Sequence, residues 1–415
     1  MAKSKISASA TTFIFITVVI DMLGIGLVWP IMPKLIEEMS GGTISNAATI
    51  YGLLVSGYAL MQFLFAPIMG ILSDRFGRRP VILISLAGLG LDYIILALAP
   101  NLTWVVIGRL MAGILGATVS TANAFIADVT PKEKRAAAFG MIGAAFGVGF
   151  IFGPLIGGVL GNIDLRYPFY LAAAISFINV TFGYFVLPES LPKEKRRTIR
   201  WKEANPLNAL LQIRQYRSVA AFIIALFLAG LAQAGLQAIW VLWSGVQLGW
   251  DIADAGYSLA IVGVATVIVQ GGLVRIIVPI LGERRIVFIG YLISACAFFA
   301  LPLVAVGWLV YAGIIVHIIG WGSASPALQS LMSRSVPEDQ QGLLQGTISS
   351  VNSVGMVIGP IMATQIFALF TGDLAYLGYP GAWYFVGSLF FLLAMAVIWL
   401  DALRYRRRKA AERSQ

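Results

Sequence analysis

A chain that carries twelve separate runs of roughly 20–30 mostly apolar residues has little choice of solvent. The runs fall near 12–33, 50–72, 81–99, 103–126, 137–161 and 168–187. After one long hydrophilic stretch they resume near 218–242, 256–281, 286–306, 308–331, 342–370 and 381–401. A bilayer permits helices because each backbone polar group is satisfied within its own segment. Composition agrees, since 12% of the residues are charged, about half the roughly 25% of a soluble domain. The pattern predicts an all-α membrane protein with twelve transmembrane helices. The first run follows Lys3 and Lys5, exceeds a signal-peptide core and lacks a small-residue cleavage pattern, so it is read as a retained first helix.

Positive charge is distributed unevenly. Of the 29 Lys and Arg, 25 fall in 1–12, 73–80, 127–136, 188–217, 282–285, 332–341 and 402–415. Only Lys34 and Arg166 lie in the alternate loops, and Arg109 and Arg275 lie inside apolar runs. That is the positive-inside pattern, and it places both termini in the cytoplasm. It also accounts for the net charge of +10 without nucleic acid, leaving membrane lipids as the partner of the basic surface.

The division expected is an N-terminal bundle 1–187, a cytoplasmic linker 188–217 and a C-terminal bundle 218–415 with a basic tail. In the linker, Asn205-Pro206 followed by Leu207, Leu210 and Leu211 predicts a short amphipathic helix on the membrane surface. The two halves repeat. A shift of 206 residues lays Pro131 on Pro337, Gly140 on Gly346, Gly153-Pro154 on Gly359-Pro360 and Arg78-Arg79 on Arg284-Arg285. The expectation is two pseudo-symmetric six-helix bundles with a binding site between them near mid-membrane.

Of the 19 acids, only Asp21 and Asp92 lie well inside apolar runs. A charge at the centre of a spanning helix costs on the order of 2.5–3.5 kcal/mol by insertion scales, and a neutral carboxyl is cheaper to bury than a carboxylate. Both are candidates for proton coupling. The alternative is a structural partnership with backbone or hydroxyl groups, stronger for Asp92 beside Tyr93. Arg109, flanked by Gly108, Gly113 and Gly116, is the candidate counter-charge, with a static buried pair as the alternative. Arg275 lies close to Pro279, can snorkel to the surface and is given no coupling role.

Two glycine-bearing stretches are candidates for conformational switching. Gly70, Asp74, Arg75, Gly77, Arg78 and Arg79 join the second and third helices, where the glycines permit a tight turn. Asp74 can accept from a neighbouring helix N-terminus, and the arginines can reach Asp128. Gly153, Pro154, Gly157 and Gly158 stud the fifth helix, where small residues allow close approach and proline allows bending. For the substrate, Gln233, Gln237 and Trp240 share one face of the seventh helix. Tyr58, Gln62, Asn123, Gln270, Trp321, Gln329 and Asn352 are further candidates. Amides and aromatics suit an amphiphilic organic ligand, although helix–helix hydrogen bonding explains any one of them equally well.

Enzyme chemistry finds no support. Cys296 is the only cysteine, which excludes an internal disulfide and a Cys-based metal site. His317 is the only histidine, too few for a zinc cluster or a catalytic triad, and it is read as a buried polar filler. There is no P-loop, so no ATP-driven pump. No cofactor or metal is expected, and a proton gradient is the driving force that fits.

Asp74-Arg75-Phe76-Gly77-Arg78-Arg79 resembles the signature between helices two and three of the major facilitator superfamily, and the likeness covers essentially the whole chain. Gly153-Pro154-Leu155-Ile156-Gly157-Gly158 resembles the fifth-helix motif of its drug–proton antiporters. Asp21-Met22-Leu23-Gly24-Ile25-Gly26-Leu27-Val28-Trp29-Pro30 is similar to the first helix of tetracycline–proton antiporters. So are Asp92-Tyr93, the stretch from Gly108-Arg109 to Gly113, Gly116 and Thr118, Leu187-Pro188-Glu189-Ser190 and Pro326-Ala327-Leu328-Gln329. The resemblance implies the major facilitator fold, alternating access and proton-driven export of a drug from a bacterial cytoplasmic (inner) membrane by a functional monomer. It gives Asp21, Asp92 and Arg109 coupling or substrate roles.

The chain departs from that pattern at two places. Thr266 stands where tetracycline exporters tend to carry a histidine, and Ser294 where they carry an acid. The second half then has no intramembrane carboxylate, which points away from a tetracycline–metal chelate as the main substrate and puts proton handling in the first half. Two other functions compete. A nutrient uptake symporter or facilitator is opposed by the fifth-helix pattern, and a non-transporting receptor or scaffold by the lack of a sizeable hydrophilic stretch outside 188–217.

Overall fold

Short loops and proline breaks set the order of elements in the computed structural model, which describes residues 2–116, 118–130, 135–196, 198, 219–337 and 340–413. The amphipathic helix expected in the linker falls on 201–218, outside the described residues. Among the described residues there is no strand, and 12 helical spans are long and apolar enough to cross a membrane. The chain divides into two compact units, Met1–Pro206 with Trp250–Gly263, and Leu207–Gly249 with Val264–Gln415.

The first unit contains α1 (Ala2–Val28), α2 (Met32–Ser40), α3 (Ile44–Phe76), α4 (Arg78–Leu98), α5 (Leu102–Leu115), α6 (Thr118–Val129), α7 (Arg135–Ile163) and α8 (Tyr167–Val186). Pro30 and Pro33 separate α1 from α2, because proline cannot donate to a continuing helix. The Thr43 side chain caps α3, and that of Asn101 caps α5 by accepting from Thr103 N at 3.1 Å. The run expected as one helix over 103–126 is two helices, α5 and α6. Gly116, at φ −71° and ψ 44°, ends the first, and the Gln62 amide donates to the released Gly116 carbonyl at 3.2 Å.

In this unit α1 packs on α7 and α8, and α4 on α5 and α8. Lipid tails are as apolar as leucine, so close packing rather than the hydrophobic effect drives helix association there. The α1–α7 seam fits that rule. A Cβ on Gly153 would lie 2.7 Å from Gly26 Cα, and one on Gly26 would lie 2.8 Å from Pro154 Cδ. Deeper in the unit, Thr17 Oγ1 of α1 donates to Asn179 Oδ1 of α8 at 3.3 Å. Residues 250–263 join this unit through small residues: a Cβ on Gly158 would lie 2.8 Å from the Ile252 carbonyl, and one on Gly263 2.7 Å from Ile151. Asn162 Nδ2 donates to Asp251 Oδ2 at 2.7 Å. The backbone N–H of Asp254 first, then the Asn162 amide, holds the Asp251 carboxyl below its ordinary value.

The second unit contains α9 (Ala220–Leu248), the end of α10 (Ile252–Ile268), one π-helical turn (Val269–Leu273), α11 (Val274–Leu281), α12 (Glu283–Ala300), α13 (Gly307–Arg334), α14 (Gln341–Thr371) and α15 (Ala382–Arg413). Here α9 packs on α14 and α15, and α12 on α13 and α15, the pairing scheme of the first unit repeated. Gly359 touches α9 as Gly153 touches α1: a Cβ there would lie 2.7 Å from Ala234 Cβ and 3.1 Å from the Leu231 carbonyl. Large apolar side chains such as Phe185 and Trp308 are exposed, a surface that suits lipid rather than water.

Candidate functional site

In the first unit four helices supply one charged and aromatic group. Asp92 of α4 is fully buried and forms an ion pair with the Arg109 guanidinium of α5. Arg109 Nε also donates to Asp92 Oδ1 at 3.3 Å. Gly108 makes this approach possible, since a Cβ there would lie 2.8 Å from Asp92 Oδ1. The guanidinium lies 5.8 Å from the Tyr58 ring centre and 5.9 Å from that of Tyr93, within the range of cation–π attraction. Asp21 of α1 is buried and lies within electrostatic reach of the Tyr58 and Tyr93 hydroxyls. Tyr93 Oη packs over α1 one turn beyond Asp21, 3.0 Å from where a Cβ on Gly24 would sit.

A pair of this kind has a definite chemistry. Two opposite charges taken out of water are stable only together, and removing one leaves the other uncompensated. A proton delivered to Asp92 would do the same to Arg109 without any change of side chain. The sequence placed Asp21, Asp92, Arg109 and Tyr58 among its candidates, and the fold brings them together. Tyr93 entered only as a neighbour of Asp92, yet it stands between Asp92, Arg109 and α1. Gln62 is engaged with the Gly116 carbonyl, as described above, and Asn123 is half-buried on α6.

The α3–α4 turn builds a second group. Arg78 pairs with Asp74 at 2.6 Å and with Asp128, at the end of α6, at 3.2 Å, and it also donates to Ser73 Oγ. Ser190 Oγ donates to the same Asp128 oxygen at 3.1 Å. Glu189 Oε1 accepts from Arg78 N at 2.9 Å and from Leu191 N at 3.0 Å. Arg79 turns elsewhere: its guanidinium lies 5.5 Å from the Tyr184 ring centre and donates to the Tyr184 carbonyl. Arg75 is exposed. Asp74 pairs with Arg78 within its own turn. Glu189 and Ser190 were missed as parts of this cluster. Their signal was the Leu187-Pro188-Glu189-Ser190 stretch, directly after the end of α8, which carried no assigned role.

The two glycines of this turn differ. Gly77 has φ +110°, a region that costs a side chain strain, and a Cβ there would strike the Glu189 carboxylate. A Cβ on Gly70 would meet nothing within 4 Å. Gly77→Ala is therefore expected to destabilise the purified protein by about 1–3 kcal/mol, while Gly70→Ala leaves it unchanged or slightly more stable. Thermal unfolding of the two variants side by side checks this, and equal midpoints would contradict it.

The second unit has a counterpart with the charges exchanged. Gly282 also has positive φ, Glu283 pairs with Arg334 at 3.1 Å, and Ser330 Oγ donates to Glu283 Oε1 at 2.6 Å. Arg334 stands where the 206-residue shift puts Asp128. Higher in this unit, Gln233 and Gln237 are half-buried and Trp240 is buried along one face of α9. Gln233 Oε1 lies 3.0 Å from His317 Nε2 of α13. Asn352 of α14 reaches the same face, its Oδ1 4.0 Å from where a Cβ on Gly230 would sit. Trp321 stacks on His317 at 6.5 Å. Gln270 is exposed in the π-helical turn, and Gln329 is half-buried on α13.

The family model of the Major Facilitator Superfamily matches residues 14–360. The chain is 36% identical over 392 residues to the tetracycline resistance protein, class C, of Escherichia coli, covering 94% of this chain and 97% of that one. It is 29% identical over 375 residues to multidrug resistance protein 2 of Bacillus subtilis, covering 88% and 91%. Among solved structures, the human organic anion transporter MFSD10 (TETRAN) superposes with a TM-score of 0.72 at 24% identity, covering 94% of this chain and 99% of that one.

Proposed function

The chain belongs to the Major Facilitator Superfamily, and from that premise we propose that it is a multi-pass antiporter that expels amphiphilic drugs in exchange for protons. The relatives carry the class: proteins named for tetracycline and multidrug resistance share its length almost end to end. The site carries the mechanism. Asp92 and Arg109, paired in the interior of the first unit, are the coupling group, and Asp21 is the second acid within it. A proton arriving from outside neutralises one of these acids, loosens the pair and weakens drug binding, so that the drug leaves and the protonated, empty protein returns. Release of that proton to the cytoplasm restores the pair.

In this reading the cluster around Arg78 and Asp128 is the conformational latch. The glycines of α7 allow close sliding against α1. Gln233, Gln237, Trp240, Asn352, Trp321, Gln270 and Gln329, with Tyr58, Gln62 and Asn123, are the residues available to a ligand. The uneven Lys and Arg distribution supports cytoplasmic termini in a bacterial inner membrane. The protein works as a monomer in lipid, divided into bundles 1–187 and 218–415 by the linker, and needs no prosthetic group. It moves its cargo without transforming it. Tetracycline is the first compound to try, although Thr266 and Ser294 leave the second unit without the charged groups of a metal-chelate carrier.

The observation that carries the reading is the buried Asp92–Arg109 pair in a chain so similar to resistance proteins. Its test is transport in everted vesicles. Tetracycline or ethidium uptake should rise when a pH gradient, acid inside, is imposed and should stop when nigericin collapses it. Uptake indifferent to the gradient would reject proton coupling.

A further inference from the structure

We propose that His317 sets the ligand preference of the second unit by fixing the amide of Gln233, so that position 233 offers hydrogen-bond donors and selects ligands with an acceptor oxygen, such as a carbonyl, enolate or carboxylate. The inference rests on the exporter reading above and names the chemistry of its cargo.

The imidazole is held firmly. It is 3% exposed and is enclosed by Phe298 at 4.9 Å, Phe391 at 6.0 Å and Trp321 at 6.5 Å between ring centres. These rings come from α12, α15 and α13, so the orientation of the histidine is set by three helices. Its one polar contact among the described residues is directional: Nε2 faces Gln233 Oε1 at 3.0 Å. The opposite nitrogen, Nδ1, is buried without a hydrogen-bond partner among the described residues. Folded proteins leave buried acceptors unpaired more readily than buried N–H groups. The ring therefore carries its proton on Nε2 and donates it, and Nδ1 keeps a bare lone pair.

The consequence falls on Gln233. A glutamine on its own can turn over and offer a ligand either its oxygen or its NH2, which makes it indifferent to the sign of the partner. With Oε1 engaged by His317, the amide cannot turn, and its two N–H donors are what the half-buried side chain has left to give. Two N–H donors presented together favour an acceptor on the ligand over another donor. Gln233 sits on the α9 face that also carries Gln237 and receives Asn352. His317 is thus a positioning residue that acts through Gln233 and touches no ligand itself.

The test uses the full protein in lipid nanodiscs and measures binding by equilibrium dialysis, which requires no gradient. The probes are tetracycline, rich in acceptor oxygens, and ethidium, a cation with none. His317→Phe preserves the packing but not the donor. It should weaken tetracycline about ten-fold and change ethidium by less than about two-fold. His317→Gln, which restores an N–H, should recover most of the loss. In a Gln233→Leu background His317→Phe should have no further effect.

Equal weakening of both probes, no weakening of either, or an effect that persists without Gln233 would each overturn the proposal. His317→Gln guards against the chance that the phenylalanine variant fails to fold. Binding of neither probe by the parent protein would instead refute the exporter reading on which the proposal stands.

Discussion

Arg109→Leu should abolish drug transport and weaken the folded protein, whereas Asp92→Leu/Arg109→Leu should abolish transport and leave the fold close to that of the parent. The asymmetry follows from burial. Asp92 is fully buried, and the Arg109 side chain is 16% exposed. Cutting one member of a buried pair strands the other charge, at about 3–5 kcal/mol in soluble proteins, while replacing both by apolar residues is often neutral. Asp92→Asn should behave like Arg109→Leu in transport and strand the guanidinium beneath Tyr58 and Tyr93. Arg109→Lys keeps the charge but loses the planar fork that engages both carboxylate oxygens, so partial transport is expected. Thermal unfolding in detergent and pH-driven uptake in vesicles separate the two effects. A double variant that still concentrates drug would remove the pair from the mechanism, and an Arg109→Leu protein as stable as the parent would show that no charge had been stranded.

Much of this architecture is legible because a bilayer imposes a single simple pattern. Apolar runs of spanning length mark the helices, and two acids among them, Asp21 and Asp92, stand out because hydrocarbon makes them costly. The packing repeat was readable in the 206-residue shift, since Gly153 and Gly359 have to meet α1 and α9 with no side chain in between. What escaped depends on contacts between residues far apart in the chain. Nothing local says that α5 ends at Gly116, because glycine is common in spanning helices; the break is visible only once Gln62, from α3, fills the Gly116 carbonyl. Glu189 and Ser190 stand in a recognisable motif without a role until the fold returns them to Arg78 and Asp128. His317 read as filler because its partner, Gln233, lies 84 residues away. Pattern identifies which residues are expensive, and only the fold identifies what offsets the expense.

Gly157→Val should prevent assembly of the first unit, while Gly143→Ala on the same helix should be harmless or stabilising. Gly149, Gly153 and Gly157 are spaced by four residues along α7 and meet α1 as backbone against backbone. A Cβ on Gly157 would strike the Leu27 carbonyl and lie 2.9 Å from Leu27 Cα. No flexible side chain can give way, so the two helices must separate. Overpacking of a core costs about 1–3 kcal/mol, and a wider seam also forfeits its neighbouring contacts at Gly26 and Gly153. The displacement would reach the coupling group, because Asp21 rides on α1 less than two turns before Gly26. A Cβ on Gly143 meets nothing within 4 Å, and alanine in place of a helical glycine gains roughly 0.5–1 kcal/mol. The yield of monodisperse protein and the pH-driven uptake of each variant decide the matter. If Gly157→Val folds and transports as the parent does, α1 and α7 are not in backbone contact in the working protein. If Gly143→Ala fails as Gly157→Val does, the glycines of α7 serve bending along the whole helix rather than contact at one seam.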